Sequence, residues 1–325
     1  MSESPRAAVI GASGIGKHHA KWLAYLGCRM DAFAGTSAES VAATSQSLRD
    51  LFGFEGEGYV GLDEMFAVGP WDVISVCSPE PLHHEHFLAA IEHGAHVMCE
   101  KPLVYDPELA DEELLAMGEE MVTAARDAGT VTAVNTQYAA AAPAYYELLA
   151  DRDIEVGPPT SFFMQMESRG GPEGTDYEDI WVDLGSHPLS VLMGFCGPGE
   201  MVSDSARCEV SQKRVEARFD YRPAEGPVCH AEIVCCNRPE GDLVRRLGIN
   251  GLLVDYEGRN DEHGVYRAYL SHEGAEIEAQ DFAHTSIERF LDAVRGLVQQ
   301  PLATVEDGLC NLEMQLHLLK IADRV

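Results

Sequence analysis

Two apolar runs, Val73-Ile74-Ser75-Val76-Cys77-Ser78-Pro79 and His96-Val97-Met98-Cys99-Glu100-Lys101-Pro102, flank a helical stretch from about Leu82 to His93. Strand, helix and strand in that order predict two parallel neighbours in one sheet, because the returning strand must cross over through the helix. In open α/β sheets, ligands bind beyond the carboxyl ends of such strands. Glu100 and Lys101 are therefore expected where chemistry is done. A lysine held there by a following proline is a candidate proton donor or substrate clamp.

The N-terminal stretch points the same way. Ala7-Ala8-Val9-Ile10 reads as a short buried strand. It runs into Gly11-Ala12-Ser13-Gly14-Ile15-Gly16 and then the helical Lys17-His18-His19-Ala20-Lys21-Trp22-Leu23. Strand, glycine-rich turn and helix make a dinucleotide-binding start. The glycines allow a tight turn and close approach of a pyrophosphate, and the helix N-terminus offers backbone N–H groups to it. Ser13 stands where the usual pattern has its second glycine. A second strand, about Arg29 to Ala34, ends in Gly35-Thr36-Ser37. A carboxylate at that tip bonds the ribose 2′-hydroxyl of NAD and repels the 2′-phosphate of NADP. Here the tip is small and hydroxylated, so NADP is the expected cofactor, with NAD the alternative that Glu39 keeps open. Thr36 or Ser37 also reads as the N-cap of the next helix.

Composition narrows the function classes. The chain has 325 residues, enough for two domains. Lys and Arg number 23 against 54 Asp and Glu, a net charge of −31. Nucleic acid and anionic membrane are excluded as partners by the lack of a basic face. No apolar run reaches the roughly 18 residues a membrane span needs. The first residues, Met1-Ser2-Glu3-Ser4-Pro5, lack the basic and apolar regions of a signal peptide, so a cytoplasmic location is expected. Nine scattered cysteines without a C-x-x-C pair predict reduced thiols rather than a disulfide framework. His83-His84-Glu85-His86 opens a helix and is expected to pack or face water rather than bind metal; no metal site is expected. Cys235 and Cys236 are adjacent in a strand and point to opposite faces.

Taken together, Gly11–Gly16, Ser78-Pro79-Glu80-Pro81-Leu82-His83, Ala95–Pro102 and Trp181-Val182-Asp183-Leu184-Gly185-Ser186-His187-Pro188 resemble the Gfo/Idh/MocA oxidoreductases, which include glucose–fructose oxidoreductase and inositol dehydrogenase. The resemblance covers nearly the whole length. It implies an N-terminal Rossmann dinucleotide-binding domain, residues 1–134. An α+β domain built on an open, mostly antiparallel sheet would follow, residues 135–325. It further implies a substrate site on one side of that sheet and a homodimer or homotetramer formed through the sheet. Gly11, Ser13, Gly14, Ile15, Gly16, Gly35, Thr36, Ser37, Ser78, Pro79, His83, Glu100 and Lys101 would serve the cofactor. Two positions depart from the family pattern. The segment opening the second domain reads Asn135-Thr136-Gln137-Tyr138, without the frequent arginine, and Ser190 stands where some members have aspartate.

Oxidising a carbinol carbon by hydride transfer requires the hydroxyl proton to leave as well, to a base whose pKa lies near the working pH. Histidine meets this without large perturbation. His187 is thus the candidate acid/base. Asp183, four residues earlier, is expected on the same helical face, to orient substrate or hold the imidazole. Lys101 would bond the same oxygen, and it is itself an alternative proton carrier. Tyr138, Arg169 and Trp181 are further candidates for the substrate pocket. The implied activity is NAD(P)-dependent hydride transfer to or from a secondary alcohol or ketone of a sugar, inositol or nucleotide sugar. Alternatives are a redox-assisted lyase or glycosidase that keeps its nicotinamide, and a non-catalytic dinucleotide sensor.

In the second domain a helix is expected from about Pro143 to Leu149, and a first strand over Thr160–Ser168 ending at Arg169-Gly170-Gly171-Pro172. Further strands are expected at Arg207–Val210, Arg214–Tyr221, Val228–Cys236, Val244–Ile249, Leu252–Tyr256 and Val265–Ser271. Asn250-Gly251 marks a hairpin, and the tail from Thr285 reads as helical with a break at Pro301.

Overall fold

The computed structural model describes residues 4–170 and 176–324. The chain divides into two compact units, residues 1–135 with 286–309 and residues 136–285 with 310–325.

The first unit alternates strand and helix: β1 (Arg6–Ile10), α1 (Gly16–Tyr25), β2 (Arg29–Gly35), α2 (Ala38–Phe52), β3 (Glu57–Val60), α3 (Leu62–Ala67), β4 (Val73–Val76), α4 (His83–Glu92), β5 (His96–Glu100), α5 (Asp111–Ala128) and β6 (Thr132–Asn135). The strands form one six-stranded sheet in the order β3-β2-β1-β4-β5-β6. Every neighbouring pair is parallel. The order reverses between β1 and β4, and that gap is where a doubly wound sheet binds its ligand. All four residues of β4 are buried, as expected of a central strand covered on both faces, and the edge strand β6 is buried as well. Ile10, Ile74, Val76, Phe87, Met121 and Val305 pack in one core cluster. Fully burying a side chain such as Phe87 contributes about 1.5–3 kcal/mol.

The second unit contains α6 (Ala141–Ala150), β7 (Ser161–Ser168), α7 (Tyr177–Leu184), α8 (Ser186–Cys196), β8 (Gly199–Ser211), β9 (Arg214–Pro223), β10 (Cys229–Asn237), β11 (Arg245–Ile249), β12 (Leu252–Asn260), β13 (Tyr266–His272) and β14 (Ala275–Gln280). The tail follows as α9 (Phe282–Val294), α10 (Val305–Lys320) and β15 (Ala322–Arg324). Nine strands form a sheet in the order β14-β13-β12-β11-β7-β10-β9-β8-β15. It is mostly antiparallel; β7 with β10 and β8 with β15 are parallel. Helices α6, α7 and α8 pack against this sheet, and Trp181 and Tyr145 are fully buried there.

Some outcomes differ from the sequence reading. Residues 286–309, assigned above to the second domain, pack with the first unit: Ala303 O accepts from Val134 N at 3.0 Å, and Val305 joins the Rossmann core. The helical pattern shows that this stretch is amphipathic but not which core it covers. Strand β8 begins eight residues before the expected Arg207, and β14 and β15 were not anticipated. The early half of β8 is rich in exposed polar residues and carries no apolar alternation; β14, Ala275–Gln280, does alternate, but only Ile277 is a large apolar residue. The expected helix from Leu82 begins with a short 3₁₀ turn, Glu80–Leu82, before α4. Of the turn after β7, Gly171 and Pro172 lie outside the described residues.

Candidate functional site

The glycine-rich turn is shaped by close contacts. Gly11 has φ +84°, and a Cβ there would meet Cys77 O at 2.6 Å. A Cβ on Gly16 would meet Gly11 O at 2.2 Å. Only glycine lets the ends of β1 and β4 and the start of α1 approach so closely. Gly14, by contrast, faces open space. The first turn of α1 carries no acidic residue and its cap has no side-chain acceptor, so its positive dipole end suits an anion.

Beside this turn lies a cavity of about 450 Å³, lined by Gly11, Ser13, Gly35, Thr36, Ser40, Thr44, Leu62, Ser78, Pro79 and His86 among others. It brings together five of the expected cofactor residues, Gly11, Ser13, Gly35, Thr36, Ser78, with Pro79 as a sixth. The residues present fit a dinucleotide: a glycine turn and helix end for the pyrophosphate, hydroxyls for a ribose, and apolar walls. Of the two parts expected of Ser37, at the cofactor and as a cap of α2, the structure shows the cap. Its Oγ accepts from Ser40 N at 3.2 Å, and its own N–H donates to Ser40 Oγ at 3.1 Å. Ser37 is thus the N-cap of α2, and Ser40 and Thr44, which the sequence reading passed over, line the cavity instead. They lie four apart on one face of α2.

Glu100 ends β5 and is buried, outside that cavity's lining. Its Oε1 accepts from Asn135 Nδ2 at 2.6 Å and from His19 Nε2 at 2.8 Å. Its Oε2 accepts from Lys101 N at 3.3 Å. Burial alone would raise this carboxyl, but the bonds from His19 and Asn135 and the nearby Lys101 charge overcome it and pull the pKa from 4.5 down to about 2. The carboxylate can only accept, so Nε2 of His19 carries a proton. Asn135 Nδ2 and His19 Nε2 lie 2.9 Å apart as two donors sharing one acceptor. His19 Nδ1 faces Ser75 Oγ at 3.0 Å. The carboxylate thus ties α1, β4, β5 and β6 together directly beneath Lys101. Of the two readings of Glu100, at the cofactor or as an anchor of Lys101, these bonds support the anchor. His19, Ser75 and Asn135 were missed. One signal was available: His19 stands four residues before the buried Leu23 on α1, a polar residue on an apolar face.

The histidine cluster divides its work. His84 pairs with Glu120 at 2.9 Å on the surface. His86 Nδ1 meets Ser78 Oγ at 2.9 Å, and burial lowers its pKa from 6.5. His83, expected at the cofactor, is 1% exposed and does not line the cavity. Its ring lies between two carbonyls, Pro102 O at 2.9 Å and Ser78 O at 2.8 Å.

In the second unit, His187 lies in the first turn of α8, buried, with its ring 4.8 Å from that of Tyr138. Tyr138 packs in turn on Tyr256 and Phe282, and burial pushes its hydroxyl up to about 12. The single helix expected to carry Asp183 and His187 is divided at Gly185, whose N–H donates to Trp181 O at 2.7 Å. Asp183 is exposed in the last turn of α7 while His187 is buried. Trp181, expected as a pocket wall, has no exposed surface and donates to Gln315 O at 3.2 Å; it is core. Arg169 lines a separate cavity with Arg245, Tyr256 and Glu257, and it is bonded to Gly241 O. Ser190, at the position where some family members have aspartate, accepts from Asn311 Nδ2 at 2.9 Å.

These features place the chain among oxidoreductases with an NAD-binding Rossmann fold, whose family model matches residues 5–136. A 1,5-anhydro-D-fructose reductase of Ensifer adhaerens is 33% identical over 97% of this chain and 95% of its own. A D-glucoside 3-dehydrogenase of Escherichia coli K12 is 38% identical over 135 residues, 41% of this chain and 35% of that protein. A solved UDP-N-acetylglucosamine 3-dehydrogenase of Acidithiobacillus ferrooxidans has the same fold, with TM-score 0.73 and 18% identity over 98% of both chains. The chain belongs to the Gfo/Idh/MocA oxidoreductase family and is an NAD(P)-dependent enzyme.

Proposed function

We propose that the enzyme moves a hydride between the nicotinamide and a secondary alcohol or ketone carbon of a sugar, inositol or nucleotide sugar. The observation that carries this reading is the anchored Glu100, which fixes the end of β5 where Lys101 emerges. The bound nicotinamide supplies the hydride acceptor or donor. The chain's own residues manage the proton. Lys101, cationic on a fixed strand end, stabilises charge developing on the substrate oxygen. His187 takes or returns the hydroxyl proton. Asp183 orients the imidazole or the substrate, and Tyr138 sets the tilt of the His187 ring against which it packs. The similarity to an anhydrofructose reductase and a glucoside dehydrogenase supports the substrate class.

The cofactor preference in this reading is NADP. The cavity holds the hydroxyls of Thr36, Ser40 and Thr44, and no carboxylate is among the residues lining it. Cofactor fluorescence should show tighter binding of NADPH than of NADH. Thr36→Asp should weaken NADPH about tenfold or more through charge repulsion while sparing NADH. Equal NADPH binding by wild type and Thr36→Asp contradicts the assignment.

The sheet of the second unit is proposed as the self-association surface. The face carrying Phe163, Arg218, His230 and Glu232 holds a shallow hollow of about 580 Å³.

A further inference from the structure

We propose that His83 is a positioning residue that works as a doubly protonated brace, holding the cleft-lining turn after β4 to the turn that carries Lys101. The proposal rests on dinucleotide binding in the cleft of the first unit.

A neutral imidazole has one N–H donor and one acceptor nitrogen. His83 faces an acceptor at both ends: Pro102 O at 2.9 Å from Nδ1 and Ser78 O at 2.8 Å from Nε2. A backbone carbonyl cannot donate. In either neutral tautomer one nitrogen lone pair points at a carbonyl oxygen, in a site 1% exposed where no bulk water can relieve it. The ring satisfies both partners only with a proton on each nitrogen, and both bonds are then charge-assisted.

The two carbonyls are not arbitrary. Ser78 lines the cleft, and so do Pro79 and Leu82 of the same turn. Pro102 follows Lys101. His86 adds a second grip on Ser78 through its Oγ at 2.9 Å. His83 therefore couples the cleft wall to the lysine-bearing turn without touching the cofactor itself. The charged and titratable groups on the elements packed around it are Cys77 after β4, Glu80 of the 3₁₀ turn, Glu85 and His86 of α4, Glu100 and Lys101 at the end of β5, and Glu120 of α5.

The test has two readouts on the full chain. The first is ¹⁵N NMR of the cofactor-free protein labelled at histidine ring nitrogens, with the His83 signals assigned by their loss in His83→Gln, or in His83→Asn should the first variant not fold. Both nitrogens should report as protonated near pH ~6. The second is the dissociation constant of NADH and NADPH at about pH 6. The variant should bind both dinucleotides about fivefold more weakly than wild type. A lone-pair nitrogen on His83 at about pH 6, or equal affinity of wild type and a folded variant, overturns the brace. Failure of wild type to bind either dinucleotide at any pH would instead strike the functional reading, and the NMR result would still decide the state of His83.

Discussion

The carboxylate of Glu100 is a buried anchor of the first unit. Three donors converge on it from His19, Asn135 and Lys101 N. Its pKa lies below the ordinary value, so it stabilises the fold above about pH 4.5, and that stabilisation fades as pH falls toward about 2. At full ionisation the contribution is about 3 kcal/mol. His19→Ala should cost about 2–4 kcal/mol in urea unfolding near neutral pH, because it leaves a buried charge short of a donor. The penalty should shrink through that acid window; a penalty independent of pH there would show that the bond matters only as packing. Little of this was legible beforehand. The Glu100-Lys101-Pro102 motif marked the place, but the partner of Glu100 sits 81 residues away on α1, and no local spacing encodes that distance. The same holds for His83. Its motif marked it as functional, and only the two carbonyls define what it does. Trp181 shows the converse error, since an aromatic beside a motif was read as a pocket wall where it fills the core.

Among the elements, the turn from β1 into α1 was readable because its chemistry is local. Gly11 and Gly16 sit where backbone must pass close to backbone, and the flanking strand and helix follow from apolar pattern. Gly16→Val should abolish dinucleotide binding, because its side chain would have to occupy the space of Gly11 O. Retention of wild-type NAD(P)H affinity in a folded Gly16→Val protein would contradict the turn geometry. Helix α2 was readable as capped, yet which hydroxyl capped it was open; the Ser37–Ser40 exchange of bonds settles that. The pair α7–α8 was not readable as two helices. Gly185 has helical dihedrals, φ −62° and ψ −30°, and lies between the two helices, so the sequence pattern runs through the junction without a stop signal. Strands β14 and β15 lie at the two edges of the sheet; β15 has only three residues, and the alternation of β14 is carried by small alanines around Ile277.

For the whole molecule, the strand–helix alternation and the resemblance were enough to anticipate both folds, but not the return of residues 286–309 to the first unit. A net charge of −31 per chain opposes self-association at low salt. Light scattering should give a multiple of the chain mass, with the oligomer gaining population as salt is raised; a monomer at low and high salt alike would remove the sheet as an association surface. The central claim is that Lys101 acts on the substrate oxygen in an NAD(P)-linked oxidation. The most direct measurement is the rate of reduced nicotinamide formation across a panel of sugars, inositols and nucleotide sugars, for wild type and Lys101→Met at matched cofactor saturation. The account predicts turnover by wild type on at least one such alcohol and a loss of about 100-fold or more in Lys101→Met, with the cofactor dissociation constant little changed. Equal turnover by the two proteins, or no turnover by a wild type that binds cofactor, would contradict it.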